Sequence, residues 1–333
     1  MRLFFVLAAT LSTTLCATVK IHEKIIFAGI CKNTAKGFDN VKASIERLAP
    51  YFDDYAIVIY ENNSTDETAH LYSKWARSNR HLKFISENLT KEQLDAIAIR
   101  KRGGHVIHIA RARQKVLDVV LSEKYDDFKY VLMADLDKFD PWDVEEILRT
   151  ILRPEHPFDA VFANGSYDTF ALRSPLFNVG IEHVGHSMWF RNLHFYHGHL
   201  LKQQLDKGNW LPVESGFGGL AIYQRDSLKG ASYGCQIDAA YYRWMTQRPV
   251  NFDHLKGSLK EHCMSLWQTH QAGFEALHAV GFDASALDRE SYPTLFLTPC
   301  EHVWLHYQMI DNGHGRMYIN PKLKMRSQDH PNF

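Results

Sequence analysis

Cysteine is scarce in this chain: five residues in 333, Cys16, Cys31, Cys235, Cys263 and Cys300, widely spaced and without a C-x-x-C pair. That spacing excludes a ribbon-type zinc site and a small disulfide-dense scaffold. For the four cysteines after Cys16, one or two disulfides and four buried thiols fit equally well. Net charge is missing too, with 38 Lys+Arg against 38 Asp+Glu. The chain therefore has no general field for nucleic acid or an acidic membrane, and any anion site must be local. No internal repeat, low-complexity tract or linker interrupts it, and beyond Lys20 no stretch is apolar enough to span a membrane. At 45% hydrophobic and 23% charged residues it reads as globular.

The first residues, MRLFFVLAATLSTTLCATVK, place Arg2 before an apolar run and Ala17 at a small-residue cleavage point. Over residues 1–17 this pattern resembles a secretory signal peptide or anchor. It predicts the secretory pathway (ER or Golgi lumen, or secretion), with membrane association through the N-terminus; a cytoplasmic chain whose start is a strand is the alternative. Asn62, Asn63, Asn88 and Asn164 each open an N-x-S/T sequon.

From residue 24 the chain alternates between short apolar runs and helical spacing. Strands are predicted at 24–33, 54–63, 82–86 and 130–137, with helices at 39–50, from about 66, and at 110–125. Such alternation predicts an α/β fold, a mixed and mostly parallel Rossmann-like sheet flanked by helices. Ligands of such sheets lie at the carboxyl ends of the strands. After residue 155 the pattern loosens: strands are predicted at 159–164, 219–226 and 316–323 and a helix at 301–313, while 165–215 shows no clear period and 251–299 mixes short helical and loop signals. We read one continuous domain, with residues 24–155 as one functional half and 156–333 as the other.

The run YVLMADLDKFDPWD, residues 130–143, ends a buried strand on Asp135 and Asp137. Residues two apart on a strand project to one face, so the two carboxylates can share a hard divalent cation, Mn²⁺ or Mg²⁺, with phosphate oxygens. A solvated loop start would look the same. ENNSTDET, 61–68, follows a strand and opens a helix, an arrangement that presents backbone N–H groups and the acid Glu61 to a nucleotide. Five histidines, His183, His186, His194, His197 and His199, crowd one segment, although H-x-H spacing alone is weak evidence for metal.

The order of ENNSTDET, then Ala112-Arg113-Gln114 on a helix, then ADLD resembles the nucleotide-sugar half of the GT-A glycosyltransferase superfamily, whose D-x-D motif binds metal and diphosphate. Cys300-Glu301-His302, the helix to Gly313 and MYINP are similar to its acceptor helix and following strand, with His302 where that pattern has Asp. Tyr167-Asp168-Thr169, with Arg173 following, is similar to a segment of the fungal capsule-associated α-1,3-mannosyltransferase family. The resemblance implies a metal-dependent transferase (a hexosyltransferase) that moves a sugar from a nucleotide-sugar donor to a glycan or glycoprotein acceptor. It implies that Glu61 contacts base or ribose, Arg113 the diphosphate or sugar, and Asp135 the ribose or sugar. Asp137 and Asp135 would hold the metal with His314 as a last ligand, and Glu301 and Asp168 would serve acceptor binding or base catalysis. Two alternatives stand beside this: a nucleotidyltransferase, although GICKNTAKG has little glycine for such a loop, and an inactive carbohydrate-binding relative.

Overall fold

A computed structural model describes residues 20–97, 104–137, 140–165, 170–175, 179, 188–235, 238–247, 250–282, 286–287, 291 and 300–325. Its strands are β1 (Ile21–Cys31), β2 (Phe52–Asn62), β3 (Leu82–Glu87), β4 (Tyr130–Asp135), β5 (Ala160–Asn164), β6 (Leu211–Val213), β7 (Leu220–Gln224) and β8 (Met317–Lys324). The α-helices of the described residues are α1 (Phe38–Leu48), α2 (Thr68–Ser78), α3 (Lys91–Ile97), α4 (Gly104–Val120) and α5 (Val144–Leu152), then α6 (Met188–Leu205), α7 (Ala239–Gln247), α8 (Gly257–Ala279) and α9 (Glu301–Asp311).

The strands form one sheet of order β3-β2-β1-β4-β7-β5-β8-β6. The first four in that order run parallel; β7 runs antiparallel between β4 and β5, and β6 antiparallel beside β8. The result is a single mixed sheet flanked by helices, broadly Rossmann-like. Continuous apolar strands such as Ile25–Ala28 and Val131–Ala134 are buried on both faces, as a sheet covered on two sides requires. One face packs against α4 and α9 through Val116, Leu117, Val303 and Leu305. The other packs against α1, α2 and α5 through Ile45, Tyr72, Trp75 and Ile147. A satellite core of Leu193, Phe252, Leu255 and Cys263 joins α6 to the chain leading into α8.

Several boundaries differ from those the sequence predicts. α4 begins at Gly104, so Ala112-Arg113-Gln114 lies in a helix interior rather than at its start. The tract 165–215 contains the 18-residue helix α6, and 251–299 contains the 23-residue α8. The last strand runs Met317–Lys324, within one residue of the predicted 316–323, and carries Pro321 where its register against β5 shifts between Ala163 and Asn164. Proline lacks the ladder N–H, and such an irregularity is where a strand accepts it. Cys31, Cys235, Cys263 and Cys300 are buried thiols with no disulfide among them.

Candidate functional site

Glu61, one residue before the end of β2, lies opposite Cys31 of β1 and Ser86 of β3, and Asp135 ends β4 opposite Ile30 of β1. These residues stand on one level at the carboxyl edge, where adjacent strands are about 4.8 Å apart. The local cause is visible at Gly29. A Cβ there would come within 2.6 Å of the Ala134 carbonyl and 2.8 Å of Leu136 Cγ. Glycine lets β1 and β4 close up, and Leu136 is buried between the two acids it separates. Asp135 is partly covered and Asp137 exposed. The acids that follow serve the fold: Asp143 caps α5 by accepting from Glu146 N–H at 3.0 Å, and buried Glu146 accepts from Asn320 at 2.9 Å.

Two loops are stitched together beside this edge. Asn33 N–H donates to Ser64 Oγ (3.1 Å), Thr34 N–H to Thr68 Oγ1 (2.7 Å) and Ala35 N–H to Asp66 Oδ2 (3.1 Å). In return Thr65 N–H donates to Asn33 Oδ1 at 2.7 Å. Asn33 and Asn63 take left-handed φ values of 55° and 53°, which asparagine tolerates better than most residues. Burial works against the Asp66 carboxylate, yet the Thr68 hydroxyl, the Thr68 N–H and the Ala35 N–H hold its pKa below the ordinary value. Glu61 completes the loop: Oε1 accepts from Ser64 N–H at 2.7 Å and Oε2 from the Ser86 hydroxyl at 2.6 Å. Glu61 is 1% exposed, so its carboxylate shapes the 63–68 turn from inside the protein.

Arg113 lies at the centre of the edge. It is buried on α4, and its Nη2 donates to Asp135 Oδ1 at 2.7 Å while Nε donates to Glu301 Oε1 at 3.2 Å. Burial alone would lower its pKa; Asp135 and then Glu301 outweigh that and hold it above the ordinary arginine value. The guanidinium carbon sits 4.7 Å from the centre of the Phe217 ring, which stacks on His302 at 3.9 Å. Phe217 is held by the turn SGFGGL. Gly218 has φ +63°, and a Cβ there would meet the Ala163 carbonyl at 2.1 Å; the Gly219 carbonyl accepts from Asp135 N–H at 2.9 Å. The glycines thus bring the turn close enough to pin the end of β4 and to lay an aromatic ring under Arg113.

Glu301 opens α9. It is buried, with Oε2 3.7 Å from Cys300 Sγ and Oε1 3.6 Å from His302 Nε2. Burial, reinforced by Arg113, holds the His302 imidazole neutral, its pKa well below the usual range. The sequence places Glu301 and Arg113 in separate halves; the fold joins them. His306, one turn on, is structural: Nδ1 meets Ser215 Oγ and Nε2 meets the Tyr223 hydroxyl, both at 2.9 Å, and burial lowers its pKa to about 3.

His314 is not part of this group. It lies 3.6 Å from Asp159, the residue before β5. Asp159 accepts Gln224 N–H on its carbonyl, and Gln224 pairs with Tyr130 at the start of β4. The expected last metal ligand therefore stands at the amino edge, roughly 17 Å of strand from Asp135. Asp168, with the rest of the Tyr167–Thr169 segment, lies outside the described residues, as do His183 and His186. Of the remaining crowded histidines, His197 Nε2 lies 3.0 Å from His254 Nε2 in the satellite core, and His199 pairs with Gln203. Among the described residues no cluster of three metal-ligating side chains forms. Sequence reasoning missed Asn33, Ser86 and Tyr233. The buried Tyr233 hydroxyl belongs to the Arg113 environment, brought there by a segment whose N–H at Tyr233 donates to Gln114 Oε1 at 2.7 Å.

No family model and no curated protein matches the chain. Among solved structures it is similar to S. aureus TarS, residues 1–349, at 13% identity over 82% of this chain and 69% of that one, with a TM-score of 0.33. It is also similar to glucosyl-3-phosphoglycerate synthase from Mycobacterium tuberculosis in complex with UDP, at 13% identity over 75% and 80% of the two chains and a TM-score of 0.36. The same enzyme with Mn²⁺, UDP and glucosyl-3-phosphoglycerate gives 13%, 74%, 80% and 0.34. A likeness of this degree transfers no residue role to this chain.

Proposed function

We propose that the chain is a metal-dependent glycosyltransferase of GT-A type that moves a sugar from a nucleotide-sugar donor to a glycan or glycoprotein acceptor. One observation carries this reading. At a single sheet edge the fold gathers the Asp135 and Asp137 carboxylates, the buried cation Arg113 at 2.7 Å from Asp135, and a pair of stitched loops beside them. Two hard oxygen donors with no third protein ligand among the described residues suit Mg²⁺ or Mn²⁺, which fill the rest of their shell with phosphate oxygens and water. Asp137, the exposed acid, and Asp135 would hold the ion; bound there, it would offset charge on a nucleoside diphosphate. Arg113 adds a fixed positive charge in a covered position, where it stabilises the leaving diphosphate without reorganising. Glu61 and Asp66 hold the 63–68 turn in shape for the nucleoside.

The nucleotidyltransferase reading is weaker for a structural reason. Such an enzyme needs free backbone N–H groups in the loop after the first strand to cradle phosphates. Here the N–H groups of Asn33, Thr34 and Ala35 are all taken by the neighbouring loop. Asp168 remains in the proposal as an acceptor-side acid, and the likeness to the α-1,3-mannosyltransferase segment suggests a hexose donor. The proposal includes the secretory route. Residues 1–19 lie outside the described ones, and no described helix is long and apolar enough to cross a membrane. Purified protein incubated with Mn²⁺ and a panel of UDP- and GDP-sugars should release nucleoside diphosphate from at least one. No release, together with no Mn²⁺-dependent binding of UDP or GDP, would reject the reading.

A further inference from the structure

The Glu301 carboxylate is largely buried among protein groups. Its side chain is 9% exposed, Oε1 lies against Arg113 Nε at 3.2 Å and His302 Nε2 at 3.6 Å, and Oε2 faces Cys300 Sγ. A base acting on an acceptor hydroxyl must come within hydrogen-bond reach of it. Glu301 instead spends its contacts on a cation of the other half. The guanidinium, for its part, is fixed by few groups. Nη2 is held by Asp135 and Nε by Glu301, while Nη1 is buried with no hydrogen-bond partner among the described residues. Phe217 supports one face of the group but leaves rotation in its plane open. Asp135 alone would leave the guanidinium on a single hydrogen bond, and Glu301 supplies the second point that sets its plane.

From this geometry we infer that Glu301 is a positioning residue: it fixes the Arg113 guanidinium beside Asp135 and couples α9 to the donor edge. The inference rests on the glycosyltransferase reading of the same site, and it assigns Glu301 a role different from acceptor base. Misplacing a charged group by about 1 Å is enough to cost a hundredfold in rate, so a positioning contact of this kind has catalytic weight without touching substrate.

The test compares Glu301→Gln, Glu301→Ala, Arg113→Ala and the double variant Arg113→Ala/Glu301→Ala. The readouts are UDP and GDP affinity with Mn²⁺ and turnover of the nucleotide sugar the panel selects. The glutamine amide oxygen still accepts from Arg113 Nε. Glu301→Gln should therefore keep turnover and nucleotide affinity within about fivefold of wild type, while Glu301→Ala loses about a hundredfold in turnover and about tenfold in affinity. On the Arg113→Ala background, Glu301→Ala should add less than about twofold, because the two act as a unit. The inference is overturned if Glu301→Gln and Glu301→Ala lose turnover equally with nucleotide affinity intact, as a base would, or if the Arg113 and Glu301 losses multiply. Should the wild type bind no nucleotide, the functional reading fails, and the pair is then judged by urea unfolding of the same four chains. A coupling of about tenfold in the unfolding constant supports the contact, and its absence sinks the positioning role.

Discussion

Arg113 Nε and Glu301 Oε1 lie 3.2 Å apart although 188 residues separate them in the chain. The contact closes the sheet edge: α4 brings the cation, α9 one acid, and β4 supplies the other, Asp135, at 2.7 Å from Nη2. A buried arginine is tolerated because two carboxylates face it. The two carboxylates are tolerated close together because the arginine stands between them.

Removing Arg113 should expose that dependence. Arg113→Ala leaves Asp135 and Glu301 facing each other in a covered site, and breaking one partner out of a buried ion group costs about 3–5 kcal/mol. Urea unfolding should show a loss of that order. A loss under about 1 kcal/mol would mean that water already reaches and solvates the acids.

Asp137 should matter for binding and hardly at all for stability. It is exposed at the end of β4, and surface substitutions stay within about 0.5 kcal/mol. Asp137→Asn is expected to abolish Mn²⁺-dependent binding of UDP or GDP in calorimetry and to shift the thermal midpoint by no more than about 2 °C. Wild-type binding at limiting Mn²⁺ would remove Asp137 from the metal site.

Asp66 ties two loops just before α2, accepting from Thr68 N–H at 3.0 Å and from Ala35 N–H at 3.1 Å. Asp66→Ala should cost about 1 kcal/mol, the usual scale for lost hydrogen bonds, and should also weaken nucleotide binding because the 63–68 turn loosens. Asp66→Asn, which can still accept, should recover part of both. Intact nucleotide affinity in Asp66→Ala would separate the loop from the ligand.

His314 and Asp159 provide the control at the opposite edge. His314→Ala should leave the Mn²⁺ dependence of nucleotide binding as it is; a loss of metal affinity in that variant would contradict the observed separation.

Asp159 should instead govern acid stability. Burial pushes the Asp159 carboxyl up, but Arg316 Nε and Nη2, at 3.0 and 2.8 Å, pull it further down, so its folded pKa is depressed. A depressed acid contributes its full stability above the unfolded carboxylate value, about 3.9, and loses it as pH falls through the lower folded value. Arg316→Ala should therefore lower stability at pH 7 and flatten the loss of stability between about pH 5 and pH 2. An unchanged acid limb in the unfolding curve would rule this out.

Much of the first half was legible from residue order. Strands β1, β2 and β4 are apolar runs between polar turns, and α1 and α2 have one apolar face each, so local periodicity was enough to find them within a few residues. The acids at their carboxyl ends followed, because strand ends of a parallel sheet are where ligands meet. The helix α6 gave no period and α8 read only as short helical pieces among loops: both mix histidines and polar residues with their apolar positions, and a helix packed on more than one side shows no clean stripe.

What the sequence by itself determined was the four parallel strands of the first half, the helices α1, α2 and α4, and the residue types at the strand ends. Only the tertiary structure decided which of those residues meet. His314 follows α9 in the chain, yet β8 runs parallel to β5, so its leading loop lands at the amino edge, away from Asp135. Glu301 opens that same helix and lands on Arg113. Both outcomes depend on strand order and direction, which come from long-range pairing, and a local pattern of apolar and polar residues carries no record of that pairing.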